Sequence, residues 1–319
     1  MSAKIAGTRI AGVVSARDSR HGLWFLPLLV GLIGGVALAA TAADFATTQN
    51  LLNLAAQAAP LLLVSIGQML VVLVRGLDLS VGSVISLSTA ILSIDAPATV
   101  TIPAVFVMAL AVGLVNGVAV TRFHVHPIIA TLSVTGIAQG ITMLVRPVAG
   151  GTIPPIVTVL VNGEFLGIYM PLIWVVVAIL AGWKLIHGSR FGLHLFAIGG
   201  GDTADTFGIA SRRNILLAYV ACSTFAALAG MFLAGRIASG DPNIGTQYAV
   251  DSITAVALGG TQLAGGIGSL QGTVIGTLLL SMLANGMNLL NVSSFVQTAI
   301  KGLILLAVIA IQPRKTIGL

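Results

Sequence analysis

The chain has 319 residues, of which 57% are hydrophobic and only 8% charged, with a formal net charge of +6 and a single cysteine. A soluble domain carries roughly 25% charged residues, and the apolar runs lack the alternating polarity of barrel strands, which leaves an all-α polytopic membrane protein. Cys222 alone offers neither a disulfide framework nor a thiolate metal cluster, and the chain has no phosphate-binding Gly-x-x-x-x-Gly-Lys-Ser/Thr loop, His-Glu-x-x-His or Gly-x-Ser-x-Gly element.

In chain order, residues 1–21 read as a basic cytoplasmic tail, and residues 22–312 as one membrane domain with no linker dividing it. Cutting the apolar runs at charges and Gly/Pro punctuation predicts ten helical spans: 22–43, 50–74, 79–95, 97–121, 127–145, 167–187, 214–235, 251–266, 268–290 and 295–312. About 20 apolar residues cross the hydrocarbon, so the third and eighth spans are short. The basic stretch before the first span imitates a secretory signal, but the apolar run exceeds the usual ~7 to 15 residues and is expected to stay as an uncleaved span. Residues 146–167, with Pro147, Pro154 and Pro155, read as a structured external loop rather than another helix. Residues 313–319 form a second short tail.

The positive charge sits between spans, which argues against nucleic acid as a partner. With both termini cytoplasmic, twelve of the fifteen basic residues fall inside, Arg146 and Arg236 fall outside, and Lys301 lies within a span. All five histidines sit at predicted cytoplasmic edges, where interfacial roles outweigh metal ligation.

Four polar features interrupt the apolar background. Gly76-Leu77-Asp78-Leu79-Ser80-Val81-Gly82-Ser83 brings a carboxylate into the junction of two spans; it reads either as a gate or as a loop in which Asp78 or Ser80 caps the next helix. The loop 188–213 carries Arg190-Phe191-Gly192 and the run Ala197 to Gly201, after which Asp202 or Thr203 can cap a short helix presenting Phe207 and Ile209. It suits docking, or else rest on the membrane surface. Gly259-Gly260-Thr261 begins a second Gly-rich interruption that ends at Gly268, so each half holds one break, and spans two to five would correspond to spans seven to ten as an inverted repeat. Ser281, Asn285 and Asn288 share a helix face, and Lys301 must find a carboxylate or helix-end carbonyls; interhelical bonding and pathway lining are both open to these residues. Gly113, Gly117, Gly230 and Gly276 read as sites of close helix packing.

Three separated segments together identify a family: Gly76 to Ser83, Arg190 to Gly200 with Gly208-Ile209, and Asp251 to Gly268. Asn285-Gly286-Met287-Asn288 and Lys301-Gly302-Leu303 extend the likeness, so that about residues 50–312 resemble the membrane permeases of the ribose/xylose/arabinose/galactose branch of bacterial ABC importers. The chain departs from that pattern at Gly201, where an Asn often stands, at Ile267, and at Ala249-Val250 before Asp251.

The resemblance implies a multi-pass protein of the bacterial inner membrane that binds no cofactor itself. ATP and Mg would belong to partner ABC ATPase subunits, beside a second permease subunit, identical or paralogous, and a periplasmic sugar-binding protein. It assigns coupling to the ATPase to Arg190, Gly192, Gly199, Gly200, Asp202, Gly208 and Ile209. The pathway or gate candidates are Asp78, Ser80, Gly82, Ser83, Gly259, Gly260, Thr261, Asn285, Asn288 and Lys301. The expected function is import of a monosaccharide or related polyol by alternating access, with no catalytic residue in this chain. An ion-coupled secondary carrier is the rival, and the scarcity of ionisable residues within the spans argues against it.

Overall fold

The computed structural model of the chain describes residues 29, 32–36, 40, 44–201 and 204–311. The first half contains α1 (Thr48–Leu73), α2 (Val81–Leu92), α3 (Ala98–Thr121) and α4 (Pro127–Val145). A connecting region follows with α5 (Pro155–Asn162), a hairpin of β1 (Glu164–Phe165) and β2 (Ile168–Tyr169), α6 (Met170–Ile186) and α7 (Arg190–Gly200). After a single 3-10 turn at Asp205–Phe207 come α8 (Ser211–Ile237), α9 (Tyr248–Leu258), α10 (Leu270–Leu289) and α11 (Ser294–Ile311).

Ten spans are too many for what the described residues contain. Six helices there, α1, α3, α4, α8, α10 and α11, are long and apolar enough to cross a membrane, and α6 with α7 makes a seventh at most, because the pair is bent by 68°. The predicted span 22–43 lies largely outside the described residues. The predicted spans 79–95 and 251–266 are the helices α2 and α9, of 12 and 11 residues. At 1.5 Å per residue they rise only about 18 and 16 Å against a hydrocarbon core of about 30 Å. Their apolar composition runs on into backbone that is not helical, so hydropathy counted depth in the membrane as helix.

The external loop also differs from its prediction. Pro155 opens α5 at a position where a missing N–H costs nothing, since the first turn of a helix has no acceptor for it. Val157 and Val161 are buried against α8 at Gly235, whose carbonyl accepts from Asn162 Nδ2 at 2.8 Å.

α1 is the central rod. Thr47 caps it, Oγ1 accepting from Asn50 N at 3.2 Å, and every residue from Ala58 to Leu73 is buried. α8 packs along α1, α2 and α3; α2 also meets α3 and α4, while α9 meets α10, α11 and α1. Gly113, Gly117, Gly230 and Gly276 stand where helices touch backbone to backbone. A Cβ on Gly113 would lie 2.5 Å from Val220 Cα, and one on Gly230 would lie 2.6 Å from Ser88 Cβ. The outer faces of α3, α4, α6 and α11 stay apolar and exposed, as at Val107, Leu144, Leu180 and Leu306, which suits lipid or another subunit.

Candidate functional site

The first break begins where α1 unwinds. Arg75 takes a left-handed conformation (φ 65°), and its N–H bonds back to Val72 O at 2.9 Å. Gly76 has no room for a side chain, since a Cβ would lie 2.5 Å from the Tyr219 hydroxyl. The chain then folds back beside α1, and one side chain supports it. The Gln68 carboxamide donates from Nε2 to Asp78 O at 3.0 Å and accepts at Oε1 from Asp78 N at 3.1 Å. Non-helical backbone survives at membrane depth only when its polar groups are met within the protein, and Gln68 meets both.

Asp78 itself is fully buried. Its Oδ1 accepts from Ser80 N at 2.9 Å and from Ser80 Oγ at 2.6 Å, while Asn116 Nδ2 donates to Ser80 Oγ at 2.8 Å and lies 3.5 Å from Oδ1. The bond to the N–H two residues on is the local turn that Asp favours ahead of a helix. Ser83 Oγ donates to Thr135 O at 3.1 Å, and Gly82 lies against Gly245. These four residues fix α2 to α1, α3, α4 and the loop before α9.

The second element is the bent pair α6–α7. Ser189 caps α7, its Oγ accepting from Gly192 N at 3.2 Å and donating to Leu185 O at 2.5 Å. Gly192 is required there because a Cβ would strike Ile186 O. Arg190 is exposed at the bend and Gly200 is exposed at the far end. Asp202 and Thr203, the expected cap, lie outside the described residues; Asp205 serves the next helix, its Oδ1 accepting from Ser211 N at 3.2 Å. Gly208 adopts φ 78°, which leaves Phe207 81% exposed while Ile209 packs on the core.

The third element is the loop 259–269. Gly259 lies against Gly272, Gly260 turns with φ 82°, and Thr261 is buried. Here two of the segments that carried the family likeness, those ending at Gly200 and Gly268, meet the end of α1 just before the first. Gly266 N donates to Leu73 O at 3.0 Å, and Arg75 Nε donates to Gly199 O at 3.2 Å. A Cβ on Gly199 would collide with both Leu73 O and Gly266 N. The end of α7 is thus wedged between the end of α1 and the loop before α10.

The remaining candidates lie apart from this junction. Lys301 Nζ donates to Asp251 Oδ2 at 2.6 Å, joining α11 to α9 with both side chains 12% exposed. Asn285 and Asn50 exchange bonds of 2.9 and 3.0 Å between α10 and α1, whereas Asn288, one turn on, is exposed and accepts from Gln297 Nε2 at 2.8 Å. The ion pair forms part of the wall of a cavity of about 190 Å3 between α1, α8, α9, α10 and α11. Gln68, Asn116 and Asn50 were not singled out from the sequence, and Arg236 was read only as an external charge. The signal of the three amides was present, since an amide inside an apolar run needs a partner as Lys301 does. Among the described residues no group of His, Cys, Asp or Glu has the arrangement of a metal site.

Residues 50–311 match the family described as branched-chain amino acid transport system / permease component. The ribose import permease protein of Escherichia coli K12 is 36% identical over 299 residues, covering 90% of this chain and 93% of that one. The chain belongs to the permease components of sugar-type ABC importers. The ribose import permease protein of Bacillus subtilis is 34% identical, covering 96% of this permease and 95% of its relative, and the L-arabinose ABC transporter permease protein of Azospirillum brasilense is 30% identical, covering 98% and 93%. No solved structure matches the permease. Its relatives are transport components rather than catalysts, and the permease is a multi-pass membrane protein.

Proposed function

We propose that this permease, paired with a second permease subunit in the inner membrane, forms the path by which an ATP-driven importer carries a monosaccharide or related polyol inward. A periplasmic sugar-binding protein delivers the solute, and partner ATPase subunits, which hold ATP and Mg, supply the work. The observation that carries the reading is the wedge at Gly199. α7 and the exposed Phe207 beyond it suit an ATPase groove, and a push on α7 bears directly on the end of α1 and on the loop joining α9 to α10.

Alternating access is supported by the pattern of the helices. α1 to α4 run 26, 12, 24 and 19 residues, and α8 to α11 run 27, 11, 20 and 18. In each set the short second helix packs on the third and fourth of its own set and on the first of the other. We read this as the inverted repeat, whose two halves exchange roles when the path opens to one side or the other. The termini and the α7 end are assigned to the cytoplasm by the distribution of basic residues.

Proteoliposomes containing the permease, its co-encoded ATPase and the binding protein should accumulate radiolabelled D-ribose, D-galactose or L-arabinose only when ATP is present on the ATPase side. Accumulation should persist with a protonophore. Uptake by the permease alone, or uptake abolished by the protonophore at constant ATP, would refute the scheme in favour of an ion-coupled carrier.

A further inference from the structure

The cavity beside the Asp251–Lys301 pair has no role in the coupling scheme, and its chemistry is specific. Its wall combines the Asp251 carboxylate with donors of three kinds: the Lys301 ammonium, the Arg236 guanidinium, and the neutral groups of Gln57, Tyr248 and Ser281. Ser281 is 3% exposed, and its hydroxyl has no hydrogen-bond partner among the described residues. Arg236 pairs with no carboxylate there. A buried hydroxyl left unmet costs about 1 to 3 kcal/mol, so a polar guest at this position satisfies a group the protein leaves open. Pro60, Leu61 and Leu280 supply the apolar remainder of the wall.

We propose that this cavity is an intramembrane binding site for the transported solute, a single sugar ring, held weakly during passage. The donor set selects that class. Neighbouring sugar hydroxyls donate to a carboxylate and accept from Lys, Arg and amide groups at once, which suits a wall that carries both. The size agrees. A dry cavity of about 150 Å3 accepts benzene, so about 190 Å3 accommodates one ring with small substituents. With Asp251 already engaged by Lys301, the strongest acceptor on the wall is shared, and the guest is held loosely, as a conduit must to release it.

The inference rests on the sugar-importer reading, and the test separates the two. Ala284 lines the cavity, while Leu290, which follows the last residue of the same helix, is exposed. In the assembled complex in nanodiscs, millimolar D-ribose or D-galactose should slow the reaction of Ala284→Cys with a small thiol reagent at least threefold and leave Leu290→Cys unchanged; the natural Cys222 is buried and contributes little background. Ser281→Leu, which fills the space, should lower uptake per ATP hydrolysed at least tenfold in proteoliposomes. Protection of neither cysteine together with normal uptake by Ser281→Leu overturns the site while leaving the importer reading intact. If the wild-type complex moves no sugar on ATP, both fall. A Ser281→Leu chain that fails to assemble leaves the decision to the protection experiment alone.

Discussion

Lys301 and Gln68 illustrate two ways in which a polar side chain is accommodated inside a bundle. Lys301 meets its opposite charge at 2.6 Å, so removing one partner strands the other. Lys301→Met should destabilise the permease by about 3 kcal/mol, read as a lowered unfolding midpoint in detergent. Asp251→Asn combined with Lys301→Met should recover much of that loss, because the double variant strands no charge. Gln68 meets backbone instead. Gln68→Leu leaves the N–H and C=O of Asp78 unmet at about 1 to 3 kcal/mol each, and should lower the same midpoint although it removes no charge and little volume.

At the scale of elements, the bent helix α7 is where force and structure meet. Gly199→Val should abolish uptake, because no side chain fits between Leu73 O and Gly266 N, while the ATPase subunits still copurify through the exposed tip. Phe207→Asp should do the reverse and reduce ATPase copurification severalfold with the unfolding midpoint unchanged, since the side chain is 81% exposed. The three glycine motifs were legible in the sequence as motifs. The junction of the last two with the end of α1 was not, because it is made by backbone atoms of Leu73, Gly199 and Gly266, whose approach depends on the packing angles of the elements rather than on any residue type. The same limit explains the excess of predicted spans. The runs through Asp78 and Gly259 are apolar enough for lipid, and only the hydrogen bonds of Gln68 and the close contact of Gly259 with Gly272 show that they are broken backbone enclosed by protein. That Lys301 needed a partner was legible from its position in an apolar run; Asp251, 50 residues earlier, could be named only once α9 and α11 were seen side by side.

For the whole molecule, contacts gather the segments expected outside at one end and those expected inside at the other. Gly150 pairs with Gly240, and Arg146 Nη2 donates to Ser93 O at 2.6 Å; at the opposite end Arg75 joins Gly199 and Gly266 joins Leu73. Cysteines introduced at Ala149 and Asn243, both exposed, should react with an impermeant thiol reagent in intact spheroplasts, and those at Gly200 and Ala264 only after the membrane is opened. Labelling of one residue from each group in intact spheroplasts would overturn the proposed orientation.

The short helix α2 carries a consequence of its own. An isolated helix end inside a bilayer exposes about half an elementary charge, positive at the amino end and negative at the carboxyl end. α2 has both ends answered by side chains of the matching sign: the Asp78 carboxylate stands before its first turn, and the Arg146 guanidinium grips the Ser93 carbonyl after its last. The partial charge at each end is therefore met by a side chain of opposite sign. A tilt that carried Asp78, α2 and Arg146 together would separate none of these charges.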